Sequence, residues 1–105
     1  MIHPFLQDRL PEIQTILQRH HINSAYAFGS VCTNNFNEKS DIDLLVNFDE
    51  NLEPLERGEL FWTVLEALEK ALNRKVDLLT MKSLSNPYFI EELNETKVHL
   101  YGKAS

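Results

Sequence analysis

The stretch AYAFGSVCTNNFNEKSDIDLLVNFDE, residues 25–50, decides how this chain folds. Its clearest part is DIDLLVNF, residues 41–48. The even positions Ile42, Leu44, Val46 and Phe48 are all apolar, and the odd positions are Asp41, Asp43, Leu45 and Asn47. Strand side chains alternate between faces, so the pattern predicts a strand with one core face and both aspartates on the other. Ahead of it, SAYAFGS is a run of small and aromatic residues and reads as a buried strand stopped by Gly29. The opening of the connection, SVCTNN, can form one short helical turn.

Two carboxylates at i and i+2 on one strand face repel, and without compensation one of them takes up a proton. A divalent cation removes the conflict. Mg²⁺ prefers oxygen ligands and usually binds one or two carboxylates together with substrate phosphates. Gly29 lets a backbone approach a phosphate closely, and Ser30 brings a hydroxyl and starts a turn whose N–H groups can meet an anion. Downstream, KVDLLTM (residues 75–81) reads as a third strand that brings Asp77. If it lies beside Asp43, three carboxylates converge, enough to hold two metal ions for phosphoryl transfer. Simpler readings stand beside these. An isolated Asp-x-Asp is usually a solvated strand start, and Ser30 can cap a short helix. An EF-hand does not fit, because Leu45 and Val46 fall where that loop needs an oxygen ligand and a glycine.

Working outward, Ile13, Ile16, Leu17 and His20 share one face, and Pro11 suits a first helical turn, so residues 11–21 read as an amphipathic helix. Residues 2–9 are expected to hold a preceding helical turn. DENLEP is an acidic loop. Phe61, Val64, Leu65, Leu68 and Leu72 give a helix over 55–72, with Asn73 as its stop. Asn86 caps a third helix that has Pro87 in its first turn and runs to about Asn94. KVHLYG is either a final strand or an extended tail. The expected fold is α+β (or α/β), a small mixed sheet with helices packed on one face.

The chain has 105 residues, which fits one domain over 1–105. The lone cysteine, Cys32, allows no internal disulfide and reads as a small packing residue. The opening MIHPFLQDRLPEIQ is broken by charges and prolines, and no stretch is apolar enough to span a bilayer. A soluble, cytoplasmic protein is the expectation. The net charge is −6, and Arg74-Lys75 is the only adjacent basic pair, which disfavours large nucleic-acid partners. His20 and His21 point in different directions on a helix and sit where its dipole favours them. His3 and His99 have no partner in view. Trp62, Tyr88 and Phe89 fall off the core stripes and are expected at the surface.

Gly29-Ser30, ten residues and then Asp41-Ile42-Asp43 resemble the signature of the DNA polymerase β-type nucleotidyltransferase superfamily. The chain's length and lack of any added domain resemble its minimal nucleotidyltransferase branch, the MNT antitoxins paired with small HEPN-domain toxins. The resemblance implies a polymerase β-like fold. It implies transfer of AMP from ATP, or another NMP from its NTP, to a partner hydroxyl such as a toxin tyrosine. By that resemblance Asp41, Asp43 and Asp77 ligate Mg²⁺, two ions in all, and Asp77 helps deprotonate the attacking hydroxyl. Gly29 and Ser30 hold the nucleotide phosphates. The family often has an arginine in the turn after the serine. Here VCTNNFNEK has none, and Lys39, its only cation, joins the nucleotide-binding set. The chain is too short for a separate acceptor domain, so a partner protein is expected, in a homo- or hetero-oligomer. Two other readings remain open: an MNT-fold antitoxin with weak or lost catalysis that neutralises its partner by docking, and an accessory subunit whose nucleotide site needs a second chain.

Overall fold

The computed structural model describes residues 2–103. The order is α1 (Pro4–Gln7), α2 (Leu10–Arg19), β1 (Ile22–Phe28), β2 (Ile42–Phe48), α3 (Pro54–Leu72), β3 (Val76–Thr80), α4 (Pro87–Thr96) and β4 (Val98–Gly102). Short 3₁₀ turns cover Gly29–Cys32 and Met81–Ser83. The four strands lie in the order β3-β2-β1-β4. Strand β2 runs parallel to β3, as the α3 crossover requires, and β1 is antiparallel to both β2 and β4. KVHLYG is therefore a strand rather than a tail, because β1 offers it a free edge.

The alternation read in DIDLLVNF decides the two faces. Ile42, Leu44 and Val46 point into the main core with Ala25, Ala27, Leu78 and Leu100. Helices α1 to α3 cover that face through Leu6, Ile13, Leu17, Val64, Leu68 and Leu72. Each fully buried Leu or Ile there contributes about 1.5–3 kcal/mol relative to exposure. The opposite face carries a smaller cluster of Tyr26, Phe28 and Leu45, which Leu93 of α4 covers. Strand β1 is buried on both faces because α1 to α3 cover one and α4 covers the other, so it shows no alternation. This explains why the strand part of SAYAFGS is small and aromatic, with Ser24 buried as well.

Helix ends follow their chemistry. His20 Nδ1 lies 2.7 Å from the Ile16 carbonyl, and His21 adopts a left-handed backbone (φ 59°) that ends α2. Asn73, also left-handed, ends α3. Asn86 Oδ1 accepts from the Tyr88 and Phe89 amides and starts α4. Both histidines without a visible partner in the sequence have one. The His3 ring accepts from Phe5 N–H and caps α1, and His99 Nε2 lies 2.8 Å from the Gly102 carbonyl. Among the described residues no helix is long and apolar enough to cross a membrane.

Candidate active site

The site is built where β1 ends and β2 and β3 begin. The β1–β2 register sets Phe28 opposite Asp43, and the β2–β3 register sets Asp43 opposite Asp77. Neighbouring strands lie about 4.8 Å apart, so the two aspartates are side by side on one face. Gly29 follows Phe28 directly and turns away from the sheet with φ 72°. Its α-carbon faces the Asp43 carboxylate so closely that a β-carbon there would run into Asp43 Oδ2 and sit 3.2 Å from Asp43 Cγ. Only glycine accepts both the left-handed backbone and this approach.

Burial, then Asp77, then Asp41 push the Asp43 carboxyl up from its ordinary 3.8 to about 6. The half-buried Cys32 thiol is also pushed up, first by burial. The Asp41 neighbour foreseen from the Asp-x-Asp spacing is the smallest of the three causes at Asp43, after burial and Asp77.

Asp41 is placed differently from expectation. It lies just before β2 and is exposed, and its Oδ2 is 3.9 Å from Lys75 Nζ. Among the described residues, no three His, Cys, Asp or Glu side chains gather closely enough to enclose an ion. Register brings Asp43 and Asp77 together, and Asp41 stands one residue outside the ladder. The donor set is nonetheless all carboxylate oxygen beside the Gly29–Cys32 turn, and a proton or a hard cation would relieve the crowded charge at Asp43. Mg²⁺ fits that chemistry.

The Gly29–Cys32 turn is anchored from the N-terminus: the His3 amide donates to the Val31 carbonyl at 2.7 Å. Ser30 begins a 3₁₀ turn closed by the Thr33 amide and hydroxyl, both donating to the Ser30 carbonyl at 2.9 Å. Lys39 is exposed in the following loop. It lines a cavity of about 600 Å³ with His3, Phe5, Phe36, Asn37, Glu38 and Arg74, none of them from the carboxylate group. A second cavity, about 610 Å³, opens at the far end of β2 beside Asn47 and Phe48, away from the aspartates.

The structure gives contacts to residues that pattern reading either passed over, Phe28 and Phe36, or noted without a site role, Phe89 and Arg74. Phe28 and Phe89 meet edge to face at 6.3 Å on the aspartate side of the sheet. Phe36 is buried inside an otherwise polar loop, and Arg74 reaches into the same loop. A lone aromatic among asparagines was the available signal for Phe36. The only adjacent basic pair was the signal for Arg74.

A glycine turn packed on Asp43 with Asp77 beside it on a parallel strand fits the expected nucleotidyltransferase site, and comparison with known proteins shows that the chain is a nucleotidyltransferase of the polymerase β type. Residues 11–105 match the family model described as "Polymerase beta, Nucleotidyltransferase", and the chain belongs to that family. It is 38% identical to "Putative protein adenylyltransferase MJ1379" of Methanocaldococcus jannaschii, over 87% of this chain and 97% of that protein. A solved structure described as a "putative minimal nucleotidyltransferase" superposes with a TM-score of 0.71 at 30% identity, covering 93% of this chain and 95% of the other. A toxin–antitoxin structure with AMP-PNP gives a TM-score of 0.70 at 25% identity, covering 90% and 73%.

Proposed function

We propose that this protein transfers an NMP, with AMP from ATP expected, to a hydroxyl of a partner protein, as the antitoxin of a HEPN/MNT pair. The observation that carries this reading is the Asp43 carboxylate held between the Gly29 turn and Asp77. Support comes from the adenylyltransferase relative and from the toxin–antitoxin neighbour with AMP-PNP. In this reading residues 1–105 form one minimal nucleotidyltransferase domain in the cytoplasm.

Asp41, Asp43 and Asp77 would hold Mg²⁺. When bound, the metal supplies charge neutralisation on the triphosphate and on the leaving pyrophosphate. The chain's own residues orient and exclude. The Gly29–Cys32 turn offers backbone amides and the Ser30 hydroxyl to phosphate oxygens, and Lys39, exposed in the loop that follows, is the cation this reading assigns to the nucleotide. The Phe28–Phe89 wall keeps one side of the carboxylate group apolar. Asp77, exposed at the outer strand, accepts the proton of the acceptor hydroxyl. The balance is ATP plus a protein hydroxyl giving the AMP ester and pyrophosphate, with breakage between the α and β phosphorus positions.

The test is label transfer onto a co-expressed small HEPN-type partner. Label from α-³²P-ATP should appear on the partner, and label from γ-³²P-ATP should not. Asp43→Asn should lose the transfer while keeping the fold. Transfer of the γ label, or full activity in Asp43→Asn, would overturn the reading.

A second reading has its own observation: Trp62 and Leu55, seven residues apart on α3, are 63% and 80% exposed. Such a face suits neutralisation by docking alone. It predicts that Asp43→Asn still protects a host from the partner, whereas the enzyme reading predicts loss of protection with the complex intact.

A further inference from the structure

The loop between the phosphate turn and β2, residues 33–41, has no regular structure, and most of its bonds are to itself. Asn37 N–H donates to Ser40 Oγ (3.1 Å), Lys39 N–H to Asn37 Oδ1 (2.8 Å) and Ser40 N–H to the Asn37 carbonyl (3.1 Å). Bonds of this kind shape a loop but do not fix it to the body of the protein. Asp41 closes this loop and lies outside the ladder, so strand pairing does not position it.

Two neighbouring residues from the turn between α3 and β3 tie the loop down. The Arg74 guanidinium donates to the Asn37 carbonyl at 2.7 Å and to the Ser40 carbonyl at 3.0 Å. It also lies over the rings of Phe5 (4.5 Å) and Phe36 (4.6 Å). The Lys75 carbonyl accepts from Ile42 N–H at 3.0 Å, and its ammonium stands 3.9 Å from Asp41. Asp41 is therefore bracketed, with Ser40 held by Arg74 and Ile42 held by Lys75. Two residues beyond Lys75, the same segment delivers Asp77 beside Asp43.

We propose that Arg74 is a positioning residue for nucleotide binding. It fixes the loop that carries Asp41 to the segment that carries Asp77, so one turn sets the spacing across the carboxylate group. The phosphate turn has no arginine, and this arginine acts from outside the turn, on loop backbone. One of its nitrogens, Nη1, bridges the two carbonyls while the planar guanidinium face packs on two aromatic rings, and a lysine ammonium has no such face. The inference rests on the nucleotidyltransferase reading above.

The test compares wild type, Arg74→Lys and Arg74→Ala in the full chain, by amide hydrogen exchange over residues 33–42 and by calorimetric titration with MgATP. Arg74→Ala should speed exchange in that loop selectively, leave β1 and β4 protected, and weaken MgATP binding about 10- to 100-fold, the range for losing a residue that orients a ligating group. Arg74→Lys, which keeps the charge and remains folded if Arg74→Ala does not, should recover only part of both. Unchanged loop exchange, or a loosened loop with wild-type MgATP affinity, would overturn the proposal. If wild type itself binds no MgATP, the functional reading fails and takes this inference with it, a result visible before any variant is examined.

Discussion

At Asp43 a carboxylate is pressed between a glycine turn and a second carboxylate on the next strand, and its pKa rises to about 6. A carboxyl whose pKa is raised on folding holds its proton more tightly in the native state than in the unfolded one. The stability it contributes is full below about pH 4, falls as pH rises toward 6, and is flat above that. Asp43→Asn removes this dependence. The melting temperature of the variant should gain on that of wild type between pH 4 and 6 and keep a constant lead to pH 8, measured without divalent ions. A lead that shrinks with pH would contradict the placement. Gly29 gives the reciprocal prediction. Gly29→Ala forces a left-handed alanine, which costs about 1–2 kcal/mol, and adds a collision with Asp43. A double-mutant cycle in urea should show that Gly29→Ala costs less in an Asp43→Ala background, because the collision is gone and the backbone strain is not.

Among the elements, α4 is the one whose loss the active-site face would feel most directly. It buries Leu93 against Tyr26, Phe28 and Leu45 and sets Phe89 on Phe28. It begins at Asn86, whose side chain takes two amide bonds. Asn86→Ala should cost about 1 kcal/mol, the usual value of such a cap, and Asn86→Ser should restore most of it. Faster amide exchange confined to residues 87–93 would locate the effect in α4. Helix α3 behaves differently, since Leu68 is fully buried in the main core. Leu68→Ala should destabilise the whole fold by about 2–5 kcal/mol in denaturant titration.

For the whole molecule, ligand binding and stability are linked. If Asp41, Asp43 and Asp77 hold Mg²⁺ with ATP, the pair at 100 times its dissociation constant stabilises the native state by about 2.7 kcal/mol. Thermal melts should therefore rise with MgATP in wild type and stay flat in Asp43→Asn. A rise of equal size in both would place the nucleotide elsewhere. The surface, by contrast, should be tolerant. Trp62 is largely exposed and meets Phe61 edge on at 5.5 Å, so Trp62→Ala should change stability of the isolated chain by no more than about 0.5 kcal/mol.

The sequence by itself determined the first three strands, the three longer helices and the family, and left the fourth strand open. Period-two alternation in residues 41–48 needs only the geometry of a strand. The Gly29-Ser30 to Asp43 spacing is local enough to read along the chain. The three-dimensional fold alone decided which strands lie side by side, since sheet order depends on contacts between distant segments. It placed Asp77 against Asp43, put α4 over the aspartate face and left Asp41 just outside the ladder. It also brought Arg74 to the loop before β2, from a position that sequence shows only as half of a basic pair. A guanidinium finds two carbonyls and two rings there because the α3–β3 turn comes back beside the start of β2, and no local pattern encodes that return.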